Sequence, residues 1–392
     1  MGDTQADAQL LRMRLAEKLT VEGRDPEWCK VVGSVPRHKF LPGFFVPAGE
    51  QNGMTVWEPV TEALDRERWL TSAYADETLI TQIDEIEPGW DAPTPHVGGR
   101  ATSSATLPSL VVQMWEDAQL EDGHRILEVG TGTGYSTALL CERFGSSNIA
   151  SIEIDPHRLA QAADAIHSCG YAPWIAAADG LYGYWPRAPY DRIVAACSVR
   201  AVPREWVNQT RNGGKILTTL GGWLYGYARV LLTIRRDETV SGPLLPGTIS
   251  FMSARGHERP APGNPAHWES LPASDPKEAR HAPWFLMEAS TDAFATRFIV
   301  QAAIPNAQHM PGLDGCLHLV DVVSGSVATL TPNDGTWTVR QGGPLRLWDR
   351  VEETLDRYET AGRPPLDTFS LDVHADGQYL SHPDMPRLRI SA

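Results

Sequence analysis

The sequence has few cysteines, no long apolar run and little basic charge. Its five cysteines are scattered among 392 residues and form no CxxC pair, so neither a disulfide framework nor a zinc site is indicated. No apolar stretch approaches the ~20 residues that span a bilayer. A net charge of −15 argues against a general nucleic-acid partner, because phosphate binding needs a basic face.

The N-terminus also lacks the basic-then-apolar order of a signal peptide, since MGDTQADAQLLRMRLAEKL combines acidic residues with apolar residues at helical spacing. The histidines show no HxxxH spacing, so we expect no metal site. These features predict a cytoplasmic enzyme or binding protein that is a monomer and has no nucleic-acid or membrane partner. Its 392 residues exceed the size at which single cores split, so we expect two domains.

The pattern of the chain predicts three parts. Residues 1–98 form an N-terminal segment with an amphipathic helix over 8–22, an irregular stretch VPRHKFLPGFFVPAG and a loop-like DEIEPGWDAPTPHVGG. Residues 99–255 alternate strands such as RILEV, IASIEI and DRIVAAC with helices, which is typical of a doubly wound, mostly parallel sheet. Residues 256–392 carry CLHLVDVV, VATLTP, WTVRQ and one amphipathic helix, which predicts a mainly β (α+β) accessory domain.

A glycine-rich turn joins the first strand of this alternation to a helix in RILEVGTGTGY. Glycines let the backbone approach a ligand closely at a helix N-terminus. The dinucleotide pattern GxGxxG fails here, and the lysine of a P-loop is missing. The pattern ExGxGxG fits, and it resembles motif I of class I S-adenosylmethionine (SAM) methyltransferases. The alternatives are a structural glycine turn or another nucleotide. The residues predicted to contact the cofactor here are Glu128, Gly130, Thr131, Gly132, Gly134 and Tyr135.

The next two strands end in acidic residues. Glu153 closes IASIE, where doubly wound nucleotide-binding folds place an acid to accept from ribose hydroxyls. Asp155 competes for that role, although it equally suits the cap of the following helix. Asp179 ends the third strand and can accept from an adenine amino group, with Gly180 leaving room for the ring. Together the three strand ends predict SAM as the cofactor.

The order of motifs resembles protein-L-isoaspartate O-methyltransferase over roughly residues 37–255. The matching segments are YADETL, TSSATLP, RILEVGTGTGY, SIEID, ADGLYGYWPRAPYDRIV and GGKILTTLGG. The resemblance implies a class I SAM-methyltransferase, Rossmann-like α/β fold. The spacing between Pro108 and Gly130 places Thr106 on the family's active-site serine and Ser104 on its threonine. Thr106 could equally be only the N-cap of the next helix. Asp76 is a second candidate near the substrate, with an Asx turn as the alternative.

Three departures from the family pattern bear on the substrate. A Pro-rich insert occupies Thr81–Arg100, threonine replaces serine at 106, and about 135 residues follow the catalytic core. With these departures the layout resembles the isoaspartyl methyltransferase homologues of ribosomal peptide (RiPP) pathways that make lanthipeptides or ATP-grasp graspetides. That resemblance implies methylation of an aspartate side chain in a modified, cyclised precursor peptide, whose ester closes to aspartimide and can hydrolyse to isoaspartate. A housekeeping isoaspartyl repair enzyme and a catalytically silent, peptide-binding SAM-fold module are the alternatives.

Overall fold

A computed structural model describes residues 4–237, 239–271 and 273–390. Contacts divide the chain into two compact units. The first comprises Met1–Ala196 and Asn208–Leu217, and the second comprises Cys197–Val207 and Thr218–Ala392. This division differs from the domain boundary predicted at residue 255, because the segment that follows residue 217 contributes strands to the second unit.

From residue 106 onward, the first unit alternates helices and strands in the predicted order. Its helices are α1 (Thr4–Val21), α2 (Pro26–Ser34), α3 (Arg66–Ala73), α4 (Pro108–Asp117), α5 (Tyr135–Phe144) and α6 (Pro156–Ser168). Its strands are β1 (Gly43–Gln51), β2 (Met54–Thr61), β3 (Leu79–Ile83), β4 (His96–Val97), β5 (Ala101–Ala105), β6 (Ile126–Val129), β7 (Ile149–Glu153), β8 (Trp174–Ala177), β9 (Tyr190–Val199) and β10 (Thr210–Gly221). The last residues of β9 and β10 belong to the second unit, and α7 (Arg204–Gln209) lies between these strands.

The central sheet of the first unit has the strand order β10-β9-β6-β7-β8. Strand β6 pairs in parallel with both β7 and β9, and β7 pairs in parallel with β8. All four residues of β6 are buried, as expected for a strand covered on both faces. Because parallel strands share the direction of their carboxyl ends, the loops after β6, β7 and β8 meet at one edge of the sheet.

A second, antiparallel sheet in the order β4-β2-β1-β3-β5 was not predicted in this form. The stretch predicted to be irregular contains β1, whose Phe44 pairs with Val60 of β2. The hydroxyl-rich run before α4 is strand β5, in which Ser104 pairs with Ile80 of β3.

The insert between β3 and β5 is an ordered connection. The Asp84 N–H donates to the Arg100 carbonyl at 2.8 Å, and the Arg100 N–H donates to Asp84 Oδ1 at 2.7 Å. Its strand β4 pairs with β2. The Trp90 ring lies over β1, with its centroid 5.1 Å from that of Phe45, and a Cβ at Gly43 would meet it at 2.2 Å. The insert is therefore packed against the antiparallel sheet.

The second unit contains the predicted C-terminal strands and helix. Its helices are α8 (Pro265–Ser270), α9 (Trp284–Met287), α10 (Thr291–Ala303) and α11 (Leu347–Thr360). Its strands are β11 (Tyr227–Ile234), β12 (Val240–Pro243), β13 (Lys277–Glu278), β14 (Ala307–Pro311), β15 (Leu317–Asp321), β16 (Ser326–Asn333), β17 (Thr336–Gly342), β18 (Ser370–Val373), β19 (Gln378–His382) and β20 (Met385–Ile390).

The pairing of these strands explains where the boundary between the two units lies. One antiparallel sheet has the order β13-β17-β16-β15-β14. A second set of antiparallel strands pairs in the order β20-β19-β18-β12-β11. Pairing of Val240 in β12 with Val373 in β18 ties the segment after residue 217 to the C-terminal strands. Stacking of Phe285 on Trp348 in the core of this unit, with ring centroids 6.4 Å apart, places α9 against α11. Within the described ranges, no helix has the length and apolarity needed to cross a membrane.

Candidate functional site

The glycine turn after β6 is an open backbone cradle. Gly134 has a φ of +88°, and a Cβ there would lie 3.0 Å from the Ile166 side chain of α6, so only glycine suits this position. At Gly130 and Gly132 a Cβ would find its nearest neighbours at 3.6 and 3.7 Å. The atom nearest to Gly132 is the Ser104 carbonyl oxygen. Strand β5 therefore lies beside the glycine turn.

Glu128, predicted to contact the cofactor, is fully buried beneath this turn. Its carboxylate accepts hydrogen bonds from the hydroxyls of Ser136, Thr137 and Ser151. Burial raises the pKa of Glu128, and the three hydroxyl donors counter part of that rise. The carboxylate thus ties the ends of β6 and β7 to the first turn of α5. Contact with a cofactor stays a prediction for this residue, and the bonds described here are structural.

Thr131 and Tyr135 of the same motif also have buried side chains. The Thr131 hydroxyl lies 2.7 Å from that of Ser151. The Tyr135 ring packs 5.8 Å from the Phe40 ring, between centroids, and lies 5.7 Å below the Arg37 guanidinium. The buried Tyr135 hydroxyl has no hydrogen-bond partner among the described residues.

Glu153 and Asp155 have separate roles after β7. One oxygen of the half-buried Glu153 carboxylate accepts from the Gly132 N–H at 2.9 Å. The other accepts from the backbone N–H groups of Ile154 and Asp155, at 2.9 and 3.2 Å. Asp155 caps α6 by accepting from the N–H of His157 at 2.9 Å. Ile154, which the sequence analysis did not single out, is 40% exposed at the edge of the sheet where the loops after β6, β7 and β8 meet.

The end of β8 carries Asp179 and Gly180. The Asp179 side chain is half-buried and accepts from the Leu181 N–H at 2.9 Å. A Cβ at Gly180 would lie 2.4 Å from Val129 Cγ1. A larger residue at this position would therefore collide with the end of β6, and the role of Gly180 in leaving room for an adenine ring stays a prediction.

The hydroxyl run divides into engaged and unengaged groups. The Thr102 hydroxyl donates to Gln82 Oε1 at 2.9 Å, and the Ser103 hydroxyl accepts from Thr81 at 3.2 Å. In contrast, no hydrogen bond of the described residues engages the half-buried hydroxyls of Ser104 and Thr106. Both residues that the family resemblance singles out therefore have hydroxyl donors that the described residues leave unused.

Asp76 caps helix α4, and Thr106 does not. The N-cap position is Leu107, whose side chain makes no capping bond. Asp76 Oδ1 instead accepts from the Ser109 N–H at 2.8 Å, and Lys18 Nζ lies 3.7 Å from its other oxygen. The alternative that Thr106 is only an N-cap is therefore wrong. Asp76, predicted as a second catalytic residue, fixes the start of α4 from outside the helix.

A buried arginine that sequence reasoning missed holds the same region. Arg37 has no exposed surface, and burial lowers its pKa to about 10, so it stays charged at neutral pH. Its Nη1 and Nη2 groups donate, at 2.9–3.2 Å, to the carbonyl oxygens of Ala73, Ala75, Glu77, Ala105 and Thr106. One guanidinium thus joins the segment around Asp76 to the segment around Thr106.

The neighbouring His38 predicts a pH dependence of stability. Its Nδ1 lies 2.6 Å from the Tyr74 hydroxyl, and burial raises the pKa of Tyr74 to about 12, so the tyrosine donates and the neutral imidazole accepts. Burial lowers the pKa of His38 from 6.5 to about 4. Below pH 6.5 the unfolded chain binds a proton here that the folded protein rejects until about pH 4, so stability falls as the pH drops through this window.

We expect His38 to account for about 1–2 kcal/mol of stability lost over that window, after allowance for solvent screening of a partly exposed ring. Urea unfolding at pH 7 and pH 4.5 measures the loss. His38→Gln keeps an acceptor for Tyr74 but cannot titrate, and it should lose less stability between these two pH values. An equal loss in both proteins would contradict the assignment.

The assembled edge suits a nucleoside cofactor beside a carboxylate-bearing substrate. The open glycine turn, the Glu153 carboxylate and the Asp179 carboxylate follow three adjacent strands, and hydroxyl and amino donors of a nucleoside match two half-buried acids. The Ser104 carbonyl oxygen lies beside Gly132, so the segment that carries the Ser104 and Thr106 hydroxyls passes this turn, and hydroxyl donors can hold an anion. Within the described residues, no group of His, Cys, Asp and Glu side chains could hold a metal.

Comparison with known proteins agrees with this arrangement. A family model for protein-L-isoaspartate(D-aspartate) O-methyltransferase (PCMT) matches residues 49–242. The protein-L-isoaspartate O-methyltransferase of Thermococcus onnurineus is 35% identical over 135 residues, which cover 34% of this chain and 60% of that protein. The enzyme of the same name from Hyperthermus butylicus is 31% identical over 166 residues, covering 40% and 68%.

A solved structure of a protein-L-isoaspartate O-methyltransferase aligns with a TM-score of 0.54 at 18% identity, covering 95% of this chain and 99% of that one. These matches confirm the predicted class I SAM-methyltransferase fold. The alignment to the Thermococcus protein spans about three fifths of its length.

Proposed function

Because this chain belongs to the protein-L-isoaspartate O-methyltransferase family, we propose that it methylates the free carboxylate of isoaspartyl residues in peptides and proteins, with SAM as the methyl donor. The observation that carries the proposal is that no hydrogen bond of the described residues engages the hydroxyls of Ser104 and Thr106, on a segment whose Ser104 carbonyl oxygen lies beside the glycine turn.

The reaction needs little acid–base help from the protein. A carboxylate with a pKa near ~4 is ionised at neutral pH, so one of its oxygens can form the new bond to carbon without a general base. Bound SAM supplies an electrophilic methyl group, and the electron pair of the broken carbon–sulfur bond stays on sulfur. Thr106 and Ser104 orient the carboxylate by hydrogen bonds that do not neutralise it, and alignment of the two reactants provides most of the rate.

Helix α4 contributes less to anion binding than its position suggests. A helix N-terminus can hold an anion through free N–H groups. Here the Ser109 N–H donates to Asp76 and the Leu107 N–H donates to Thr78, at 2.8 and 3.2 Å. The side-chain hydroxyls therefore perform the anion binding in this proposal, and Asp76 and Arg37 hold the backbone that presents them.

Methylation of aspartate in a cyclised precursor peptide is the second candidate. One of its arguments was that compact repair enzymes lack the C-terminal extension, yet a solved chain named for isoaspartate methylation aligns over 99% of its length with 95% of this one. The extension therefore does not separate the two functions. The remaining argument is the insert Thr81–Arg100, in which the Arg100 N–H donates to Asp84 and strand β4 pairs with β2 of the antiparallel sheet.

Matched peptides distinguish the candidates. The purified protein would be incubated with SAM and a synthetic peptide containing isoaspartate, its counterpart containing ordinary aspartate, or a lanthionine-cyclised aspartyl peptide. We expect the isoaspartyl peptide alone to gain the mass of one CH₂ group and then to lose methanol on ring closure. Methylation confined to the cyclised aspartyl peptide would establish the second candidate, and SAM binding without transfer to any peptide would favour a silent module.

Glu153 should determine cofactor affinity. Glu153→Gln replaces a charged acceptor at the end of β7, and hydrogen bonds to charged groups contribute about 1.5–3 kcal/mol. We therefore expect affinity for S-adenosylhomocysteine to fall about 10-fold or more by calorimetry. Asp164→Asn removes one exposed carboxylate from α6 and should leave the affinity unchanged. Equal affinities for wild type and Glu153→Gln would remove Glu153 from the cofactor site.

A further inference from the structure

A buried glutamine connects the hydroxyl strand to the cofactor edge. Gln82, in β3, is 1% exposed. Its Oε1 accepts from the Thr102 hydroxyl at 2.9 Å, and its Nε2 donates to Asp155 Oδ2 at 2.9 Å. Both ends of the amide are therefore used, one toward β5 and one toward the start of α6.

The α6 side of this connection continues to the glycine turn. The Asp155 N–H donates to Glu153 Oε1 at 3.2 Å, and Glu153 Oε2 accepts from the Gly132 N–H at 2.9 Å. Gly132 in turn faces the Ser104 carbonyl, 3.7 Å from where its Cβ would lie. Hydrogen bonds from Thr102 to Gly132, together with the proximity of Gly132 to Ser104, thus form a ring that begins and ends on β5.

A second attachment holds the insert to the same helix. Arg158 Nη2 donates to the Thr81 carbonyl and to Glu87 Oε1, both at 2.9 Å. Gln161 Nε2 donates to the same Glu87 oxygen at 2.6 Å. The first turns of α6 therefore fix the end of β3 and the start of the insert, as well as the loop that carries Glu153.

The proposed cofactor site lies within this ring. A carboxylate has about four lone-pair positions, and three backbone N–H groups already use Glu153. About one position is therefore left for a ribose hydroxyl, which would fix the Glu153 carboxylate where it accepts from the Gly132 N–H, next to Ser104. Binding at Glu153 therefore changes the surroundings of the residues that hold the substrate carboxylate.

We propose that Gln82 is a positioning residue that makes cofactor binding at Glu153 and substrate binding at Ser104 and Thr106 mutually dependent. This inference rests on the proposed function for the identity of the two ligands. A cofactor that tightens the ring favours substrate binding, and because coupling between two sites is reciprocal, the substrate in turn raises the affinity for the cofactor. The ring of contacts tightens β5 when the cofactor is bound, and loss of the amide uncouples the two sites without removing either.

Hydrogen–deuterium exchange with S-adenosylhomocysteine as the probe tests the coupling and needs no substrate. In the wild type we expect exchange in residues 101–106 to slow at least about five-fold on binding, the lower end of typical coupling. Gln82→Glu keeps the acceptor for Thr102 but loses the donor to Asp155, and Gln82→Met loses both. Both variants should bind the probe yet show little added protection of β5.

Gln113→Met, which removes an amide from α4 that contacts Arg24, is the matched control and should retain the wild-type protection. Protection that persists in both Gln82 variants, or is absent from the wild type, would overturn the inference. Calorimetry adds the reciprocal readout, since an isoaspartyl peptide should raise probe affinity in the wild type only. Coupling without methyl transfer would refute the proposed function and leave this inference standing, and failure to bind the probe would refute both.

Discussion

Replacing Thr106 with alanine should lower kcat for methyl transfer about 10²-fold, the usual effect of removing one hydrogen-bond donor from a reacting group. The Thr106 hydroxyl is half-buried, has no partner among the described residues and is not needed to cap α4. Its loss therefore leaves the fold without an unsatisfied group. Affinity for S-adenosylhomocysteine should stay within about two-fold, because the proposed cofactor contacts lie on other loops.

Two further substitutions make this result specific. Thr106→Ser keeps the hydroxyl and should retain most of the activity. Ser109→Ala removes a neighbouring hydroxyl at the start of α4, whose backbone N–H alone contacts Asp76, and should behave like the wild type. Steady-state rates with an isoaspartyl peptide, alongside urea unfolding curves, measure all three. Unchanged turnover in Thr106→Ala would show that the hydroxyl does not hold the carboxylate.

The parts of the fold that sequence predicted are those with short-range signals. The alternation of buried strands and helices after residue 106 determines the parallel sheet, because both periodicities are local. The glycine turn before Tyr135 was found for the same reason, since a strand, three glycines and a helix follow one another within a few residues. The acids at Glu153 and Asp179 then followed from the common direction of parallel strands.

The unpredicted features depend on residues far apart in sequence. Asp76 caps a helix that begins 32 positions later, and no local pattern distinguishes this from an Asx turn. Arg37 lies in a stretch predicted to be irregular, and its burial shows only when segments near residues 75 and 105 meet around it. The role of Gln82 could not be predicted for the same reason, because its hydrogen-bond partners Thr102 and Asp155 come from different elements.

The sequence predicted which motif residues are important more securely than it predicted why each of them is needed. Gly180 is predicted to leave room for an adenine ring, and Val129 also leaves no room for a Cβ at this position. Glu128 is predicted to contact the cofactor, and three hydroxyls also hold its carboxylate in the interior. A motif records that a residue type is needed, and only the contacts show whether a ligand or the fold requires it.

Arg37 should have the largest effect on stability of any residue in the site. Arg37→Met keeps the bulk of the side chain but leaves five backbone carbonyls without their donor. An unsatisfied buried acceptor costs about 1–3 kcal/mol, and several in one place should together cost about 3 kcal/mol or more. Arg37→Lys supplies a positive charge with three donors at most, so it should fall between the wild type and Arg37→Met in urea unfolding.

The loss of stability can be separated from a loss of positioning by a second buried arginine. Arg192 in β9 is 7% exposed and donates to the carbonyls of Ala118 and Gln119 at the far end of α4. Arg192→Met should therefore destabilise the fold but keep kcat per folded molecule. Arg37→Met should lose kcat as well at a temperature where both variants are folded, because Ala105 and Thr106 are no longer held. Equal kcat in the two variants would reduce Arg37 to a structural residue.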